Sequence, residues 1–348
     1  MVSFYPGPSR LDHNIELYLR EALQSGILSQ NHRSNAFMQL YEDTWTTVCS
    51  YFNIPDDYSL YFVSSATECW EILSQELGQL KNLHIYNGAF GEKGFNSNAS
   101  FHPDTVIGLP FDKEEFPRAQ AYAAEVIHLT HNETANGTQL PASWLEELRK
   151  QNPSAFITVD ATSSFGGQVL PMASADVWFA SVQKCLGLPS GMGVLICSKR
   201  VVDFCKKNKT SYYNSIASQE LQFQNRQTTH TPNILGVYLL YRTLNARQEL
   251  KVIHQSLKDQ AQQWYQLLET NTLFQPLIAT KALRSDTIIA AAGNASSIER
   301  FKTYCAQKEY IIGNGYGADK NNTFRIANFP AHQTSEIAVL QDLLIHYK

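Results

Sequence analysis

Between residues 60 and 197 short β-like runs alternate with helix-compatible stretches, and this alternation restricts the fold more than any other feature of the chain. The apolar runs fall at 60–63, 83–86, 105–109, 125–129, 156–159, 177–181 and 194–197, with helical stretches at 68–80 and 142–150. Parallel neighbours in a sheet need a long crossover between them, and a helix supplies it. The expected fold is α/β, with a mainly parallel seven-stranded sheet in a large domain. From about residue 236 the pattern becomes helical, at 235–244 and 250–268. Further β-like runs at 287–291, 310–312 and 323–327 and a last helix at 335–347 predict a smaller C-terminal α+β domain. The expected division is an N-terminal arm (1–15), a large domain (16–240) and a small domain (241–348).

Ligands of such sheets bind beyond the carboxyl ends of the strands, so the residues that follow each run carry the chemistry. The run 156–159 ends in Asp160. A carboxylate there is costly unless a cation faces it, although a turn cap would use the same residue. The run 177–181 leads to Val182-Gln183-Lys184-Cys185-Leu186 and then to a Gly/Pro-rich turn. Most lysines are solvated, but the apolar neighbours of Lys184 suggest burial, which lowers an amine pKa as Schiff-base chemistry requires. An acid and a lysine one strand apart match the needs of pyridoxal phosphate. The lysine takes the cofactor aldehyde, and the acid keeps the pyridine nitrogen protonated.

Other strand ends fill out the pattern. Ser64-Ser65-Ala66-Thr67 precedes a helix, where small residues leave backbone N–H groups free for a phosphate or simply cap the helix. Phe90, in Asn87-Gly88-Ala89-Phe90-Gly91, could stack on a planar ring or belong to the core. Thr130-His131-Asn132-Glu133-Thr134 offers polar groups for a ring hydroxyl. The formal net charge of -4 gives no field that would attract nucleic acid or anionic membranes. No apolar run of about 18 residues or more is present to span a membrane. The six cysteines are scattered without a Cys-x-x-Cys pair, which suggests reduced thiols in a cytoplasmic protein. His128-x-x-His131 lacks a third ligand at a metal spacing, so no metal is expected, and Gly313-x-Gly315-x-Gly317 lacks the rest of a dinucleotide fingerprint.

Along nearly its whole length the chain resembles the class V aminotransferases of pyridoxal-phosphate fold type I, and within them the phosphoserine branch. The resemblance rests on Phe4-Tyr5-Pro6-Gly7-Pro8, Asn31-His32-Arg33-Ser34, Asn132-Glu133-Thr134, Asp160, Gln183-Lys184, Thr229-His230-Thr231-Pro232 and Phe324-Arg325-Ile326-Ala327-Asn328. It implies that Lys184 and Asp160 are catalytic. It further implies that Ala66, Thr67 and Gln183 cradle the cofactor phosphate, that Phe90 stacks on the ring and that Thr134 contacts the ring hydroxyl, with Ser163 also at the cofactor. Thr231 would reach the phosphate across a homodimer interface, His32 and Arg33 would face the partner's active site, and Arg325 would clamp the substrate α-carboxylate.

The implied reaction is O-phosphoserine:2-oxoglutarate transamination in serine biosynthesis. One departure bears on it: the family's second His-Arg pair is replaced by Gly313-Asn314-Gly315-Tyr316-Gly317. Alanine– or serine–glyoxylate transamination is the alternative, because those relatives also carry a His-Arg-Ser motif. A cysteine desulfurase-like lyase is a third reading, weakened by Gln183 where those enzymes have His.

Overall fold

The protein is described here from a computed structural model covering residues 1–208, 210 and 212–347. Its strands, in chain order, are β1 (Val2–Phe4), β2 (Tyr58–Val63), β3 (Asn82–Tyr86), β4 (Val106–Pro110), β5 (Val126–Thr130), β6 (Asn132–Glu133), β7 (Thr138–Gln139), β8 (Phe156–Asp160), β9 (Val177–Ser181), β10 (Gly193–Ser198), β11 (Phe274–Pro276), β12 (Ile288–Gly293), β13 (Tyr310–Asn314) and β14 (Thr323–Ala327). The expected seven-stranded sheet is present in the order β2-β10-β9-β8-β5-β3-β4. β10 alone runs against its neighbours, antiparallel to both β2 and β9, while the β9, β8, β5, β3 and β4 pairings are all parallel. Every residue of β2, β9 and β10 is buried, as strands covered by helices on both faces require. The apolar residues of β2, β9 and β10, from Leu60 to Val63, Val177 to Ala180 and Val194 to Cys197, belong to one continuous core that also takes in apolar residues of the helix Asn35–Phe52.

A second sheet, ordered β1-β13-β14-β12-β11, builds the rest of the molecule around Trp264, Phe274, Phe301 and Phe324. Two of its strands were not foreseen. β11 is only three residues long and contains Pro276, which suits an edge position. β1 comes from the N-terminal arm and pairs in parallel with β13, Val2 opposite Tyr310 and Phe4 opposite Ile312. The arm therefore does structural work in the second sheet before it passes the end of the first.

That passage anchors the loop that carries Lys184. The Ser9 N–H donates to the Gln183 carbonyl at 3.0 Å, and the Asp12 N–H to the Gly187 carbonyl at 2.8 Å. Arg247, just after the helix Ile234–Ala246, donates to Asp12 Oδ2 at 3.1 Å and to the carbonyls of Cys185 and Leu186 at 2.9 and 2.7 Å. The Arg247 and Asp12 side chains are only 7% and 8% exposed, so this ion pair is shielded from water. Gly187 adopts φ +68°, a conformation glycine takes without strain, and a Cβ there would sit 3.1 Å from the Asp12 nitrogen. Replacing Arg247 by Leu leaves a buried carboxylate and two carbonyls unpaired. We expect this to cost about 3–5 kcal/mol in chemical denaturation, whereas a loss under about 1 kcal/mol would show the pair to be incidental.

Candidate active site

Because β2, β3, β5, β8 and β9 share one direction, the loops after them open at one edge of the sheet. A cavity at that edge is lined by Ala66 and Thr67 after β2, Phe90 after β3, Asn132 and Thr134 after β5, Asp160 and Thr162 at the end of β8, and Gln183 and Lys184 after β9. Pro6 and Gly7 of the arm, Tyr316 and Arg325 close it from the second sheet. Gly7 is needed for this closure, since a Cβ at that position would lie 3.2 Å from Lys184 Cε.

Lys184 is buried, 6% exposed, and its Nζ donates to Thr134 Oγ1 at 2.6 Å and to Ser163 Oγ at 3.0 Å. Those two hydroxyls also hydrogen-bond each other. Burial pushes the Lys184 amine down to about 8, against the pull of the Asp160 and Glu133 carboxylates. A fraction of the amine is therefore neutral near neutral pH, as a nucleophile or a base must be. Asp160 is raised by its own burial, while hydrogen bonds from Thr162 and the charge of Lys184 pull it back. Its Oδ1 accepts from the Thr162 N–H at 2.9 Å, which fixes the carboxylate at the strand end.

The helix Ala66–Leu77 begins at the cavity, with the Ser65 hydroxyl accepting from the Glu68 N–H. The Ala66 N–H donates to Ser181 Oγ at 2.8 Å, tying this helix start to the end of β9. A second helix, Ala89–Phe101, also starts there and is capped from across the chain: Glu133 Oε2 accepts from the N–H groups of Phe90 and Gly91 at 3.2 and 3.1 Å. Glu133 is a residue that sequence reasoning passed over as part of a polar triplet. It holds Phe90 over the Lys184 amine, which lies 5.1 Å from the ring centroid. Arg325, on β14, is buried and donates to the carbonyls of Asn314 and Thr134, both at 2.7 Å. Tyr316 stacks on Phe90 with centroids 5.3 Å apart and lies at the same distance from the Arg325 guanidinium carbon. The segment that replaces a basic pair thus brings an aromatic wall into the cavity.

His32, Arg33 and Thr231 do not line this cavity. His32 Nδ1 lies 3.5 Å from Thr231 Oγ1 on an outer part of the chain, so these residues are near one another but apart from Lys184. His128 stacks on His84 at 4.1 Å in the core and hydrogen-bonds Thr158 and Asn82, and His131 hydrogen-bonds Ser164.

The cavity suits a polar aromatic cofactor carrying a phosphate. Thr130 and Asn132 line it, and their Oγ1 and Oδ1 atoms are buried without a hydrogen-bond partner among the described residues. A flat ring with polar substituents would satisfy them. The helix start at Ala66 and Thr67 lines the cavity and suits a phosphate, and an acid in the same cavity as a nucleophilic lysine suits a pyridine aldehyde. Fold and site together define a class, the pyridoxal-phosphate-dependent enzymes of fold type I. Within it, the sequence profile of the family described as Aminotransferase class-V matches residues 110–319, and the chain belongs to that family.

Among solved structures, a phosphoserine aminotransferase from Cytophaga hutchinsonii superposes with a TM-score of 0.92 at 29% identity, covering 99% of this chain and 98% of that one. An aspartate aminotransferase of subgroup IV from Thermus thermophilus shares the fold, with a TM-score of 0.84 at 21% identity over 100% and 99% of the two chains. A phosphoserine aminotransferase of Rhodococcus opacus (strain B4) is 25% identical over 296 residues, 81% of this chain and 77% of that protein.

The burial of Lys184 sets a titration that labelling can read. In the cofactor-free protein, the reactivity of Lys184 toward a trace acylating reagent should rise with a midpoint near pH 8. Exposed lysines should rise near their ordinary value of about 10.4. Because the Asp160 carboxylate favours the ammonium form, Asp160→Asn should move the Lys184 midpoint lower. A midpoint near that of the surface lysines would contradict the described environment.

Proposed function

We propose that this class-V aminotransferase transfers the amino group of O-phosphoserine to 2-oxoglutarate, a step of serine biosynthesis, and that Lys184 and Asp160 are its catalytic residues. The observation that carries the substrate assignment is the likeness, over nearly the whole chain, to the Cytophaga phosphoserine aminotransferase. When bound, pyridoxal phosphate supplies a ring that accepts the electrons released when the substrate α-carbon loses its proton. Lys184 Nζ would hold the cofactor through its aldehyde and, as the buried amine of the cavity, would move the proton at the substrate α-carbon. Asp160 would keep a proton on the pyridine nitrogen. A cationic ring beside Asp160 favours its ionised form, which offsets the upward effect of burial.

The remaining roles follow from position. Ala66, Thr67 and Gln183 would hold the phosphate, Phe90 would stack on the ring, and Thr134 with Ser163, which hydrogen-bond Lys184, would serve the ring hydroxyl. Arg325, fixed by two carbonyls, presents its guanidinium to the substrate α-carboxylate. A lyase of the cysteine desulfurase type has less support. Cys185, beside Lys184, is buried with its thiol pushed up to about 12 and directed at the Ser163 carbonyl, which suits packing rather than catalysis.

We further propose a cytoplasmic homodimer of the three-part chain (1–15, 16–240 and 241–348) with shared active sites. His32, Arg33 and Thr231 would complete the partner's cavity, and their grouping away from Lys184 supports this. Alanine and serine with glyoxylate are the competing substrates. In steady-state assays, kcat/KM for O-phosphoserine should exceed that for alanine or serine by at least about tenfold, and an equal or smaller value ends the phosphoserine assignment. Lys184→Ala should lower turnover by about a hundredfold to ten-thousandfold or more. Mixing Lys184→Ala chains with Arg33→Ala chains should restore activity above either variant alone, through hybrid dimers with one intact site. Additive activities, or a monomer in sedimentation, would refute the shared site.

A further inference from the structure

We infer that Lys93 is the residue that selects amino donors carrying a second, distal anionic group, doing within this chain what the missing basic pair does not. The inference rests on the aminotransferase reading of the site, and it holds for a phosphate ester or for a side-chain carboxylate.

Lys93 stands one turn after Phe90 on the helix Ala89–Phe101, and residues three apart on a helix share a face. Its side chain is exposed and lines the same cavity as Lys184, Arg325, Phe90 and Tyr316. Three cations therefore serve one cavity. Lys184 is committed to the cofactor, and its amine is already hydrogen-bonded to Thr134 and Ser163. Arg325 is fixed by two backbone carbonyls and is assigned above to the α-carboxylate. Lys93 is paired with no carboxylate within 4.0 Å among the described residues, in contrast to Lys113, which is spent on Asp319 at 3.1 Å. An unpaired ammonium at the mouth of a site attracts an anion, and its flexible stem lets it follow a substrate inward.

The surrounding residues make Lys93 the natural second contact. Tyr316, in the segment without a basic pair, packs its ring beside the Arg325 guanidinium at 5.3 Å and supplies no cation to the cavity. Glu133, a buried carboxylate, is committed to the backbone N–H groups of Phe90, Gly91 and Ala135. It fixes the start of the helix that carries Lys93, so the ammonium projects from an anchored turn. A donor of the alanine type would leave Lys93 unused, whereas a donor with a distal anion would engage both Arg325 and Lys93.

The test uses the cofactor-loaded enzyme and its Lys93→Gln and Lys93→Arg variants, with O-phosphoserine, glutamate and alanine as donors in single-turnover half-reactions. Maleate and acetate serve as non-reacting dicarboxylate and monocarboxylate competitors, their binding read from the change in cofactor absorbance. We expect Lys93→Gln to lower the ratio of kcat/KM for the anionic donors over alanine by about tenfold to a hundredfold. The maleate-over-acetate affinity ratio should fall in parallel, and Lys93→Arg should recover most of both. Equal losses for all donors and both competitors would overturn the inference and leave Lys93 a structural residue. So would a wild-type enzyme that shows no preference for anionic donors. A preference for glutamate with no turnover of O-phosphoserine would remove the phosphoserine reading, yet it would uphold Lys93 if Lys93→Gln erased that preference.

Discussion

A lysine amine held out of water is the interaction on which the site depends. An ammonium is costly to bury, and this one is kept by two hydroxyls and by the charges of Asp160 and Glu133 rather than by a direct ion pair. The arrangement leaves the amine close to its neutral form, so it can react with a carbonyl and still be protonated when needed. Neither carboxylate touches Lys184 closely enough to lock the charge. Asp160 is bonded to Thr162, and Glu133 is used as a helix cap. The same two acids thus supply field without consuming the nucleophile.

The fold delivers this through strand direction. Parallel strands place successive loops at one edge, and the antiparallel β10 closes the sheet against β2 without adding a loop at that edge. The N-terminal arm then adds a tie between the two sheets beside direct contacts such as the hydrogen bond from Arg325 to the Thr134 carbonyl. It pairs with β13, packs Gly7 against the Lys184 stem and hydrogen-bonds the Lys184 loop at Gln183 and Gly187. Arg247 secures the far side of that loop. A displacement of the arm would loosen the lysine and open the cavity together.

The large sheet could be read from the sequence because its central strands are buried on both faces and so are largely apolar, as in β2, β9 and β10. The alternation with helices then set the parallel order. Asp160, Lys184 and the helix start at Ala66 were readable because each follows such a run directly. Short edge strands escaped: β1 and β11 have three residues each, too few to show a period. Glu133 escaped because its role, capping a helix 42 residues away, is a property of tertiary contact rather than of local pattern. Tyr316 lies in a glycine-rich segment whose sequence points to no contact, and Lys93 carries no local signal that separates it from a solvated lysine. Both acquire meaning only when the cavity brings β13 and the helix after β3 together.

The central claim is that Lys184, and no other lysine, binds the cofactor aldehyde. Reconstitution with pyridoxal phosphate, borohydride reduction and peptide mapping would test it most directly. The account predicts one reduced cofactor adduct per chain, on the peptide containing Lys184, and its disappearance in Lys184→Ala. An adduct on Lys93 or another lysine at equal yield, or none at all, would contradict it.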